Sequence, residues 1–87
     1  MTYAIKVTAE DIAAGKRCNH RACPVAIALR RYLFDDRITV EATHMTYGEY
    51  ATITRLPKRV QAFIRSFDQG EPVVPFSFRL PCPLSRT

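Results

Sequence analysis

Three side chains able to hold a metal or attack an electrophile fall within one short run, Cys18-Asn19-His20-Arg21-Ala22-Cys23. Thiolate sulfur and imidazole nitrogen are the donors zinc prefers, and Cys82 or His44 would complete a tetrahedral set. Structural zinc sites, however, usually pair one short-spaced knuckle with a second, whereas the further donors here are isolated residues far along the chain. The leading expectation is therefore no cofactor, with a zinc-stabilised interaction module built on Cys18, His20 and Cys23 as the alternative. The dipeptide Cys23-Pro24 suggests a simpler role. Proline's fixed φ and missing N–H suit the first turn of a helix, which makes Cys23 its N-cap. A thiol at that position can be acidified by the helix dipole, so a thiol-dependent enzyme using Cys23 is a third reading. Covalent catalysis also needs a base and an oxyanion pocket, and nearby His20 alone is nominated for either.

Other catalytic constellations fail earlier. The adjacent carboxylates Glu10-Asp11 and Asp35-Asp36 sit at a helix start and a turn, where both have structural explanations. No glycine-rich phosphate loop, G-x-S-x-G or H-E-x-x-H occurs. A binding protein without a catalytic site is the expectation.

What remains is positive charge. The formal net charge is +5 and the pI about 9.5, which favours acidic partners, either nucleic acid or an acidic host protein surface. Arg55, Lys58, Arg59 and Arg65 have no acidic residue between them. A second basic group, Lys16, Arg17, Arg21, Arg30 and Arg31, surrounds the helix that opens at Pro24. The binding candidates are Arg30, Arg31, Arg55, Lys58, Arg59 and Arg65, which would track phosphates if both groups faced one way. Against this stands a merely solvated polar face, the commoner meaning of charge on an amphipathic helix. Tyr47 or Tyr50 would stack on bases if it pointed outward.

The elements that must position these residues follow from periodicity. Tyr3, Ile5 and Val7 alternate with polar or small residues and predict a strand with one buried face. Thr8 and Asp11 form a capping box for a short helix through Ala14, which Gly15 would end in a left-handed cap. From Pro24 to Phe34 the chain is apolar around most of its circumference, so this should be the most buried helix. Ile38-Thr39-Val40-Glu41-Ala42 alternates, with Ile38, Val40 and Ala42 predicted inward. A polar connector holding His44 and Gly48 leads to a second strand over residues 49–54, antiparallel to the first. Leu56, Val60, Phe63, Ile64 and Phe67 mark the core stripe of an amphipathic helix from Pro57 to Gly70. Phe76-Ser77-Phe78-Arg79-Leu80 reads as a final strand that Pro81 and Pro83 place at an edge, with residues 81–87 a loose tail. The order β-α-α-β-β-α-β predicts a single α+β domain over residues 1–87, its helices on one face of a small, mostly antiparallel sheet.

Length and composition agree. At 87 residues, 47% of them hydrophobic and 24% charged, the chain matches an ordinary small domain that buries a core unaided. No apolar run approaches the ~20 residues of a membrane span, and residues 1–4 lack the pattern of a signal peptide. Three cysteines, an odd number, argue for reduced thiols. No membrane partner and a cytoplasmic location are expected.

On the helix Cys23-Pro24-Val25-Ala26-Ile27-Ala28-Leu29, and on the late run from Leu56-Pro57 through Phe67-Asp68-x-Gly70 to Val74-Pro75-Phe76-Ser77-Phe78-Arg79-Leu80, the chain resembles a group of small bacteriophage-encoded proteins. The similarity spans nearly the whole length, including Ile5-x-Val7-Thr8. The shared pattern is a C-P-[IV]-A-x-A-L helix followed by L-P-x-x-V, F-D-x-G and P-F-x-F. Cys23 belongs to it, whereas Cys18, His20 and Cys82 do not. The resemblance implies a phage accessory role in the host cytoplasm. Its expected mode is stoichiometric binding to host machinery, including anti-CRISPR and other anti-defence inhibition, or to nucleic acid or nucleoprotein.

Overall fold

A computed structural model describes residues 2–34, 36–49 and 52–81, with backbone alone at positions 2, 3 and 81. Cys82, Tyr50 and the expected tail from residue 82 onward lie outside the described residues. The elements run β1 (Thr2–Val7), α1 (Ala9–Ala14), α2 (Pro24–Leu33), β2 (Thr39–Val40), β3 (His44–Tyr47), β4 (Thr52–Arg55), α3 (Lys58–Asp68) and β5 (Phe76–Pro81). The expected α+β class and the alternation of helices with strands are both present.

Several expectations are corrected. The strands form two antiparallel sheets, β1–β5 and β2–β3–β4, rather than one, and the strand expected over residues 49–54, here β4, pairs with β3 and not with β2. The stretch expected to be a polar connector contributes β3, because Met45 and Tyr47 alternate with His44 and Thr46. Met45 is fully buried and pairs with Val40 on one side and Thr54 on the other. The chain therefore turns before Ala42 can point inward: the Glu41 N–H donates to the His44 carbonyl at 2.7 Å, leaving Ala42 exposed. Gly15 caps α1 at φ −71°, not in the left-handed region.

Local chemistry otherwise acts as its residue types dictate. The Thr8 N–H donates to Asp11 Oδ2 at 2.9 Å and the Asp11 N–H to Thr8 Oγ1 at 3.2 Å, a reciprocal box that satisfies two orphan amides of α1. Cys23 caps α2, its sulfur accepting from the Ala26 N–H at 3.4 Å, with Pro24 in the first turn. α2 buries Pro24, Val25, Ala26, Ala28 and Leu29, and lies against α1, β1 and β2. It is the centre of one core that also takes Ile5 and Val7 from β1, Phe78 and Leu80 from β5, Met45 from β3, and Leu56, Val60 and Ile64 at α3. Each fully buried Leu, Ile or Val there stabilises the fold by about 1.5–3 kcal/mol relative to exposure.

α1, only six residues long, is fixed by tertiary contacts. Arg31 of α2 donates to both Asp11 oxygens, at 2.8 and 2.9 Å, and to the Lys6 carbonyl at 2.9 Å. One guanidinium therefore ties α2 to α1 and β1.

Candidate functional site

The thiol–imidazole cluster is dispersed by the fold. Cys23 is buried at 3% exposure beneath its helix, whereas Cys18 and His20 are exposed on the loop before it. The loop is closed by backbone bonds, with Lys16 N–H to the Ala22 carbonyl and Cys23 N–H to that of Asn19, and Val40 N–H reaches the His20 carbonyl at 2.7 Å. Cys18 adopts φ 55° and anchors the loop to the end of α3: its N–H donates to Asp68 Oδ1 at 2.9 Å and its thiol faces the Asp68 carbonyl at 3.9 Å. Among the described residues, no three His, Cys, Asp or Glu side chains converge on a metal-sized site. His44 lies across the molecule's second sheet, opposite Arg55.

Burial pushes the Cys23 thiol above its ordinary range, and the Ala26 and Val25 amides, which favour the thiolate, do not reverse this. The acidification expected from the helix dipole is thus outweighed by the loss of water. Iodoacetamide at pH 7.5 is expected to label Cys18 in the native protein and to label Cys23 only after unfolding in denaturant, as read by peptide mass mapping. Labelling of native Cys23 at the rate of Cys18 would contradict this assignment.

The two basic groups have different fates. In the second group Arg31 is bound to Asp11 and packs over the Tyr32 ring, Arg21 donates to the Asp36 carbonyl at 3.3 Å, and the Arg17 guanidinium lies beside Gly70. Arg31 and Arg21 are thus engaged within the chain, and half-buried Arg30 lies in the last turn of α2, its carbonyl accepting from the Phe34 N–H. The first group is otherwise placed. Val60 and Ile64, with Phe63 packed beside them, turn α3 toward the core, so Lys58 and Arg65, two turns apart, project from the opposite side. Arg59 leaves the flank of the helix toward β5, its guanidinium 5.9 Å from the Phe76 ring centre, and exposed Arg55 ends β4 just before the helix. Among the described residues none of these four is in an ion pair.

The register of β1 with β5 adds two cations that sequence reasoning gave no role. Ile5 pairs with Phe78 on the buried face, so Ala4, Lys6, Ser77 and Arg79 are all exposed on the other. Arg79 and Arg59 line one cleft of about 350 Å³ with Ser77 and Pro57. The alternation of Phe78 and Leu80 with Ser77 and Arg79 already told which way Arg79 points. The strand pairing that sets it beside α3 was not visible locally.

α3 also begins without a side-chain cap at Pro57, and its first turn holds Lys58 and Arg59 rather than acids. Cations there oppose the helix dipole, so the local field favours an added anion. Among the described residues no helix is long and apolar enough to cross a membrane. Comparison of the chain with known protein families, with curated proteins and with solved structures finds no match in any of the three.

Proposed function

We propose that this chain is a non-enzymatic phage accessory protein that acts by stoichiometric binding to a polyanionic partner, nucleic acid or a host nucleoprotein complex, through the α3 face. The observation that carries the reading is the set of exposed cations Arg55, Lys58, Arg59 and Arg65, which have no ion pair among the described residues, whereas Arg31 is engaged within the fold. Arg79 and Lys6 extend the same charge onto the β1–β5 sheet. Phosphates spaced along a strand match such a distributed surface better than a single small anion does. Interference with a host defence complex is the role this mode of binding would serve.

Fluorescence anisotropy with mixed-sequence single-stranded DNA, duplex DNA and RNA tests the reading. Binding should weaken linearly in log–log form with salt, by a slope of about 0.7–0.9 per phosphate contacted. Lys58→Gln with Arg65→Gln should reduce that slope by about 1.4–1.8 and weaken every sequence alike, with the melting temperature unchanged. No binding to any of the three at about 50 mM salt would remove nucleic acid as the partner. Affinity purification from infected cells would then be searched for an acidic protein.

A further inference from the structure

Three rings of α3 and β5 stand in a row beside the cations of the α3 face. Phe63 and Phe67 lie nearly parallel with ring centres 6.3 Å apart, and Phe63 meets Phe76 at 4.6 Å. Phe78, two residues further along β5, is 4% exposed and closes the core, whereas Phe63, Phe67 and Phe76 are only half-buried and keep part of their surface in water. Phe63 and Phe76 open into a groove of about 310 Å³ between α3 and the segment leading into β5, with exposed Val74 at its side.

Arg59 is a wall of this groove and also lines the cleft of about 350 Å³ that holds Arg79 and Ser77. Its guanidinium stands 5.9 Å from the Phe76 ring centre, so one cation sits where a compartment of rings joins a compartment of charge. Among the described residues no aspartate or glutamate lines either one. A ligand that fills both must present a flat apolar face and, a short way along, a negative charge. An unpaired nucleotide has that form: its base offers a π-face to rings or to a guanidinium plane, and its phosphate is one sugar away. A base inside a duplex has both faces covered by its neighbours, so paired nucleic acid offers phosphates to the cations and nothing to the rings. A free mononucleotide would leave Arg55, Lys58 and Arg65 without a role, whereas a strand brings them further phosphates.

We propose that the seam between α3 and β5 binds single-stranded nucleic acid, one base entering the Phe63–Phe76 groove while its phosphate lies against Arg59 and Arg79. Single-strand binding rests on the polyanion reading above and narrows it to unpaired DNA or RNA. The cations set the salt dependence, and the rings set the preference for a strand that carries exposed bases.

Fluorescence anisotropy at about 50 mM salt separates the two contributions with three probes of equal length, about 15 nucleotides: oligothymidylate, an abasic deoxyribose-phosphate strand and a duplex. The first two carry the same phosphates and should give the same salt slope. Oligothymidylate should nevertheless bind about 5–150-fold more tightly than the abasic strand, the range for stacking one base, and should outcompete the duplex. Phe76→Leu, which keeps an apolar side chain against Phe63 but no ring, should lose most of that advantage, and Phe76→Tyr should retain it. Arg79→Gln should lower the slope on both single strands by about 0.7. Equal affinity of the wild-type chain for oligothymidylate and the abasic strand, or tighter binding of the duplex, would overturn single-strand binding and leave the polyanion reading standing. Binding to none of the three would remove both. Full base preference in a folded Phe76→Leu would overturn the groove as the seat of the base.

Discussion

Asp11→Ala is expected to destabilise the protein by about 2–3 kcal/mol at pH 7. The Asp11 carboxylate is buried at 3% exposure, accepts both guanidinium nitrogens of Arg31, and closes the capping box of α1 through the Thr8 N–H. Breaking a fully buried ion pair costs about 3–5 kcal/mol, but the Arg31 side chain is 46% exposed and can turn to water, which lowers the figure. Loss of the cap contributes about 1 kcal/mol. Asp11→Asn, which keeps an acceptor for Thr8 but no charge, should fall between.

The same residue gives the pH dependence its sign. Burial pushes Asp11 upward, but the Arg31 hydrogen bond, the Thr8 amide and the Arg31 charge outweigh it and hold the carboxyl below its ordinary 3.8. A folded-state pKa below the unfolded value contributes stability that is fully present above the unfolded pKa and is lost as pH falls through the folded one. The gap between wild type and Asp11→Asn in urea denaturation should therefore be constant from about pH 5 to 7 and close progressively as pH falls past the ordinary carboxyl value and through the lower one of the folded state. Equal stability of the two proteins at pH 7 would show that the pair contributes nothing.

The parts of the fold that chain-local chemistry decides were legible in the sequence. The Thr8–Asp11 box, the Cys23 cap and the Leu56–Val60–Phe63–Ile64 part of the expected stripe each depend on residues within a few positions of one another, and each formed as its spacing implies, while Phe67 at the stripe's end is only half-buried. What was not legible depends on pairing across the chain. β3 is four residues holding two threonine or histidine positions, and its identity comes from burial of Met45 between Val40 and Thr54. The candidate site divides the same way. The exposure of Lys58 and Arg65 follows from helical period alone. That Arg31 is captured by Asp11, twenty residues earlier, and that Arg79 comes to lie beside Arg59, are tertiary facts that charge counting could not supply.

Gly15→Ala separates two reasons a chain keeps glycine, and is expected to destabilise by about 2 kcal/mol. At φ −71° and ψ 155° alanine is conformationally allowed, and by reducing unfolded-state entropy it would by itself stabilise by about 0.4–1 kcal/mol. The added Cβ, however, would stand 2.6 Å from Pro24 Cδ and 2.7 Å from Cγ, contacts with a buried, rigid ring at the start of α2. Relief requires α1 and α2 to part. Gly48→Ala makes the complementary control: it meets no atom within 4 Å but holds φ 78°, so its loss of about 1 kcal/mol is backbone strain alone. If crowding is the cause at position 15, Gly15→Ala should also couple to Asp11→Ala, since the Gly15–Pro24 approach and the Asp11–Arg31 bridge hold the same two helices. Once either contact has let the helices separate, the second substitution should cost less than it does alone, a departure from additivity of at least about 0.5 kcal/mol in a double-mutant cycle. Strict additivity would mean that α1 adjusts at each contact independently, and that the docking of these helices is not the cooperative unit the geometry describes.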